Sequence, residues 1–173
     1  MITPPEMNQA PANPFVDADR RALWEICVAR DIAAFLAADW NICADDFLAE
    51  GFVGVHGKFA TDPDSWQLSF PTLDSYRQAW EEQSRDFARE KFVDDPCAIL
   101  YSAMRLDPIQ LQGDHAFVHK KFAGELRTAG GKIIPLHWQS LFFARRTAGG
   151  WKLRGFVGYL PWPWPVGAEG KRA

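Results

Sequence analysis

The stretch from Pro135 to Pro161 limits what this chain can fold into more than any other part of it. Two long apolar and aromatic runs meet at Thr147–Gly150, where Gly149 and Gly150 supply the positive φ of a tight hairpin loop. With Arg146 opposite Trp151, the period-two geometry of a strand predicts two faces. Trp138, Ser140, Phe142, Ala144, Trp151, Leu153, Gly155, Val157 and Tyr159 share one, a core face ending in large rings with polar tips. His137, Gln139, Leu141, Phe143, Arg145, Lys152, Arg154, Phe156 and Leu160 share the other. That second face is basic near the loop and apolar further along, which a purely solvated face would not need.

A chain of 173 residues is long enough to bury one substantial core. Its net charge of −3 offers no electrostatic footprint for nucleic acid, so no nucleic-acid partner is expected. Eight Trp and thirteen Phe are many, and large rings serve both as core and as walls of pockets for apolar ligands. Cys27, Cys43 and Cys97 form no Cys-x-x-Cys pair and are odd in number, which argues for a reducing compartment rather than a disulfide framework. The four His are scattered, so no metal site and no cofactor are expected. Without a signal-like N-terminus or an apolar run near the roughly 20 residues that span a bilayer, the reading is a soluble cytoplasmic protein with no membrane partner.

Residues 1–16, rich in proline, are expected to form a loose arm; residues 17–161 form the domain, and residues 162–173 a tail stiffened by Pro163 and Pro165. Asp17 should cap a helix whose stripe is Trp24, Cys27, Val28, Phe35 and Ala38, with Ile32 beside it. Asp31 falls in that stripe. It is either paired at the core edge or exposed to a cavity that the stripe lines. Ala44–Glu50 reads as a second short helix ending at Gly51, followed by a strand in which Phe52, Gly54 and His56 share a face. The stretch 58–71 reads as a long loop with at most one short strand. Thr72 caps a third helix with an inner stripe of Leu73, Tyr76, Trp80, Gln83 and Phe87, stopped by Asp94-Asp95-Pro96. From Ala98 onward strands are expected throughout, with Ile99–Leu111 interrupted at Pro108 and a turn at Gly113-Asp114 leading into His115–Arg127. In that register Leu111 faces Ala116, Ile109 faces Val118, and Asp107 faces Lys120. A lone Lys120 on a core face would invite Schiff-base or general-base chemistry; the opposed Asp107 predicts an ion pair instead.

Helices followed by long antiparallel strands make an α+β chain with the helices on one face of a curved sheet. The order resembles the nuclear transport factor 2-like superfamily, in its SnoaL-like and ketosteroid isomerase-like branch. The residues that carry the likeness are Phe35-Leu-Ala-Ala-Asp-Trp40 with Asp46-Phe47 and Phe52, Gly113-Asp-His-Ala-Phe-Val118, and Gly149-Gly-Trp-Lys-Leu153. The resemblance implies a cystatin-like cone: three N-terminal helices packed on a strongly curved, mainly antiparallel sheet, with an apolar pocket at the open end. It also implies a homodimer through the outer sheet face, where Leu141, Phe143 and Phe156 are expected. The isomerase branch uses a carboxylate base with a tyrosine and a protonated acid as oxyanion donors, a set not found at matching positions here. The dehydratase branch uses histidines with tyrosines and an aspartate, types supplied here by Asp31, His56, Tyr76, Tyr101 and Tyr159.

Two readings follow. In one, the chain is a cofactor-free isomerase, dehydratase or cyclase acting on a small apolar or aromatic molecule. Asp31 or His56 then moves a proton, Tyr76, Tyr101 or Tyr159 stabilises an oxyanion, and Phe35, Trp24, Trp40, Trp80 and Trp138 form the walls. In the other, it is a non-catalytic dimeric binding or interaction module with the same pocket. A third possibility is the small, structural subunit of a ring-hydroxylating dioxygenase. Convergence of Asp31 with His56 on a cavity above roughly 300 Å³ favours the first reading; a packed interior with Asp31 tied to an arginine favours the second.

Overall fold

In a computed structural model describing residues 10–165, helical segments precede a six-stranded sheet. The remainder of the N-terminal arm and the end of the Pro/Trp tail lie outside the described residues. Asp17 caps the first helix through a bond from the Arg20 amide, and the helix runs through α1 (Ala18–Trp24), a π-helical segment (Glu25–Arg30) and α2 (Asp31–Ala37). A π turn inserts one residue into the i→i+4 pattern and so rotates everything after it. Leu23, Trp24, Ile26, Cys27 and Val28 are buried before and within the turn; Ile32 and Ala34 are buried after it.

The expected second helix at 44–50 does not form. Two 3₁₀ turns, Trp40–Ile42 and Ala44–Asp46, take its place. Tertiary partners outcompete the helix here: Leu48 N–H donates to the Leu153 carbonyl at 2.8 Å, and Phe47 bridges Leu153 in parallel. Asp46 turns inward to accept two bonds of 2.8 Å from the Arg30 guanidinium. The third predicted helix is α3 (Leu73–Arg89), with a capping box between Thr72 and Ser75. A fourth, α4 (Pro96–Ala103), replaces the strand expected from Ile99, because Asp95 caps it and Pro96 sits at its first turn. The same Pro96 read as a stop signal for α3 is the start signal of α4.

The strands are β1 (Val53–His56), β2 (Gln67–Phe70), β3 (Met104–Gln112), β4 (His115–Arg127), β5 (Ile133–Thr147) and β6 (Gly150–Pro161), in the order β2-β1-β6-β5-β4-β3. All neighbours are antiparallel except β1 and β6. The sheet is therefore mixed, and the helices cover one of its faces.

Two register corrections matter for the interior. Pro108 displaces the β3–β4 ladder, so Leu106, not Asp107, stands opposite Lys120. The predicted Asp107–Lys120 pair is absent. In the β5–β6 hairpin, Arg146 faces Trp151 as expected, but β6 carries one extra residue at Arg154 and a second between Val157 and Leu160. Each bulge exchanges the two faces of the strand. Phe156 therefore turns into the core at 4% exposure rather than outward, and Val157 turns out. The second bulge returns Tyr159 to the inner face. At the first bulge a Cβ on Gly155 would collide with the Val53 carbonyl of the parallel neighbour, so the pairing of β1 with β6 depends on this glycine.

Candidate functional site

The helices and the inner sheet face enclose a cavity of about 530 Å³. Each wall follows from a local pattern. From α2 come Asp31, Ile32 and Phe35, which at spacings of three and four share one face after the π turn. From α3 come Tyr76, Trp80, Gln83 and Phe87, the stripe predicted from sequence. The sheet supplies Lys120 and Phe122 from β4, Ile134, Pro135, Leu136, His137, Trp138, Ser140 and Phe142 from β5, and Phe156 and Tyr159 from β6; Leu100 of α4 and Phe59 complete the enclosure.

Several polar groups line this aromatic chamber. Lys120 Nζ donates to Asp31 Oδ2 at 2.5 Å. The Lys120 side chain is 6% exposed and that of Asp31 29%, so the carboxylate is the member of the pair that opens to space. Lys120 interrupts the inward row Ala116, Val118, Phe122 and Leu126, all buried. Its cross-strand partner is Ser140, which also lines the cavity. Asp31 Oδ1 has no hydrogen-bond partner among the described residues. Tyr159 holds a left-handed backbone at φ 57°, a conformation that costs a non-glycine residue on the order of 1–3 kcal/mol and that clusters at functional sites. Enclosure by protein, with a smaller contribution from the Asp31 charge, pushes its phenol up to about 12. Burial likewise pushes the Tyr76 phenol well above its ordinary value. Both hydroxyls stay protonated, and hence able to donate, across the neutral range.

Of the ten residues singled out from sequence, Asp31, Phe35, Tyr76, Trp80, Trp138 and Tyr159 line the cavity. Trp24 and Trp40 are buried in the solid core. Tyr101 lies on α4, not on a strand, and packs against the core without lining the chamber. His56 also stands outside. Its ring stacks on Tyr159 at 4.2 Å with 9° between planes, and its Nδ1 accepts the Lys58 amide at 3.0 Å. Burial, and then the nearby Lys58 charge, lower its pKa. The expected convergence of Asp31 with His56 is thus not formed; Tyr159 separates them. Sequence reasoning set Lys120 aside on the strength of Asp107 and assigned no role to Ser140 or Phe122. The signal for Lys120 was present in the alternation of β4, where it is the one charge in an apolar row.

Among the described residues no cluster of three His, Cys, Asp or Glu could hold a metal ion, and no helix is long and apolar enough to cross a membrane.

No protein-family model matches the sequence, and no curated protein is significantly similar to it. Solved structures do match. A domain of unknown function with a cystatin-like fold from Nostoc punctiforme aligns with TM-score 0.54 and 11% identity over 83% of this chain and 78% of that one. A nuclear transport factor 2 (NTF2-like) superfamily protein from Salmonella enterica serovar Typhimurium aligns with TM-score 0.52 and 13% identity, covering 83% and 91%. An NTF2-like protein with a cystatin-like fold from Novosphingobium aromaticivorans aligns with TM-score 0.51 and 15% identity, covering 86% and 84%. At such identities the likeness speaks of fold, not of chemistry. The element order, the mixed sheet with helices on one face and these matches together establish that the chain has the NTF2-like, cystatin-like α+β fold.

Proposed function

We propose that the chain binds a small apolar or aromatic molecule in the chamber and that Asp31 moves a proton on it without a cofactor. The observation that carries this reading is a single half-open carboxylate set in an aromatic cavity of about 530 Å³, a volume within the range of small-molecule sites. Asp31 Oδ2 is occupied by Lys120, which orients the carboxylate and leaves Oδ1 to accept a proton from carbon. The Tyr159 hydroxyl, protonated up to about pH 12, donates to the oxyanion that develops when a proton leaves the carbon beside a carbonyl. An isomerisation, dehydration or cyclisation begins with that step.

One observation favours a second reading, a binding module without chemistry: the Asp31 carboxylate is already paired with the Lys120 ammonium. Tetralone, a bicyclic aromatic ketone, distinguishes the two in D₂O. Enzyme chemistry predicts loss of its α-proton NMR signals with the native chain and not with Asp31→Asn. Quenching of tryptophan fluorescence with no exchange above that of Asp31→Asn would leave binding alone.

We also propose a homodimer through the outer sheet face. Val53 and Phe143, 44% and 42% exposed, stand there beside Val55, Phe117, Leu141 and Val157. Light scattering should give the dimer mass for the native chain and the monomer mass for Phe143→Glu. A cytoplasmic setting agrees with three free cysteines at Cys27, Cys43 and Cys97.

A further inference from the structure

Lys120 is a nucleophile that acid–base chemistry at Asp31 leaves unused. Its ammonium is nearly buried, lines the chamber and has Asp31 as its ion-pair partner, with Phe122 stacked 5.3 Å from Nζ. A pair of this kind is a poor structural device, because apolar residues of the same volume generally stabilise a core as well or better. The Arg30–Asp46 pair shows the contrast: it joins a half-exposed guanidinium to a buried carboxylate and does not border the chamber.

We propose that Lys120 captures the carbonyl group of an aldehyde or ketone ligand as an imine, with Asp31 carrying the protons. This rests on the chamber being a ligand site and names the ligand class: a small apolar or aromatic body bearing one carbonyl. Entry of such a ligand expels water and raises the cost of keeping two charges in the chamber, which favours transfer of one proton from Nζ to Oδ2 along their 2.5 Å hydrogen bond. The neutral amine adds to the carbonyl carbon. The C–N bond forms as the C–O π bond breaks, and the second amine proton moves to the oxygen, giving a carbinolamine. Asp31 then returns its proton to that hydroxyl, which leaves as water, and the nitrogen lone pair closes the C=N bond. The iminium keeps the positive charge of the original ammonium, and the Asp31 carboxylate is again its counter-ion. No oxidant or reductant takes part.

Reductive trapping tests this. The full chain is mixed at neutral pH with naphthaldehyde and sodium cyanoborohydride, digested and mapped by mass spectrometry. A naphthylmethyl group is expected on Lys120 at least about tenfold above Lys121, the adjacent lysine on the outer face, because the chamber presents the carbonyl at high effective concentration. Lys120→Arg, which keeps the charge opposite Asp31, should abolish that adduct, and Lys121→Arg should not. Binding of naphthalenemethanol, which has no carbonyl, is read in parallel by tryptophan quenching. If the alcohol binds and label spreads evenly over the lysines, imine capture is overturned and the pocket stands. If the alcohol does not bind, the pocket reading falls, and imine capture with it.

Discussion

Two groups of aromatic rings lie side by side on the inner face of the sheet: one packs ring on ring and meets the chamber only through Tyr76 and Phe156, and the other forms the chamber's open walls. In the packed group, Trp40, Phe47, Phe52, Phe70, Tyr76 and Phe156 touch ring to ring, with centroids 4.9 to 6.2 Å apart. In the open group the rings pair within each wall, Phe35 with Phe87 at 5.1 Å and Phe122 with Trp138 at 4.4 Å, and the chamber lies between the pairs. Residue type does not distinguish the groups. What stands between the walls does: the Asp31–Lys120 pair spans from α2 to β4 across the open group. Rings collapse onto one another unless a polar group that must keep its partner stands between them.

The largest effect that would break this comparison is in the packed group. Phe52→Ala, at a site 2% exposed, should lower stability by about 3–5 kcal/mol in urea titration. Asp31→Asn comes next. It leaves the Lys120 charge buried without its partner and should cost about 2–3 kcal/mol, discounted because Asp31 itself is part-exposed. Lys120→Met should cost less, since Asp31 reaches the chamber. The double variant Asp31→Leu with Lys120→Met should recover most of the loss while abolishing binding of the aromatic alcohol. Full retention of binding would show that the pair does not hold the chamber open.

Alkaline stability sharpens the contrast at about 1–2 kcal/mol. The unfolded Tyr159 phenol ionises near 10.0 and the folded one near 12, so stability present in full below pH 10 is lost as pH rises toward 12. Tyr159→Phe should flatten part of that loss in denaturation midpoints taken at pH 9 and 11. Phe87→Ala, at a half-buried wall position beside existing space, should cost only about 1 kcal/mol; a cost equal to that of Phe52→Ala would erase the distinction between the groups. The smallest effect belongs to His56. Its folded pKa is lowered, so stability present above the ordinary 6.5 falls as pH drops through that value and below, by under about 1 kcal/mol, as the ring gains a proton and Nδ1 ceases to accept the Lys58 amide. An NMR titration should show His56 protonating below 6.5 and losing the protection of that amide.

Much of the candidate site was legible one element at a time. The α3 stripe of Tyr76, Trp80, Gln83 and Phe87 follows from helical spacing, and all four line the chamber. Asp31 stood out because a carboxylate in an apolar stripe requires either a partner or a cavity; it has both. Trp24 and Trp40 were read as walls for the same reason as Trp80, and they are core. Nothing in the spacing of a buried ring says whether the element opposite it makes contact. The ring of His56 stacks on Tyr159, which lines the chamber while His56 does not.

By itself the sequence determined the α+β order, the β4 turn, the hairpin contact of Arg146 with Trp151 and the NTF2-like fold, because capping residues, glycine turns and apolar periodicity act over a few residues at a time. Tertiary structure alone decided the rest. The β6 bulges turned Phe156 inward, the backbone of Leu153 holds residues 47 and 48 where a helix was expected, and the displacement at Pro108 freed Lys120 from Asp107 and gave it to Asp31. Each of these outcomes depends on a partner from a distant part of the chain, and a one-residue slip in a strand reverses which side chains meet it.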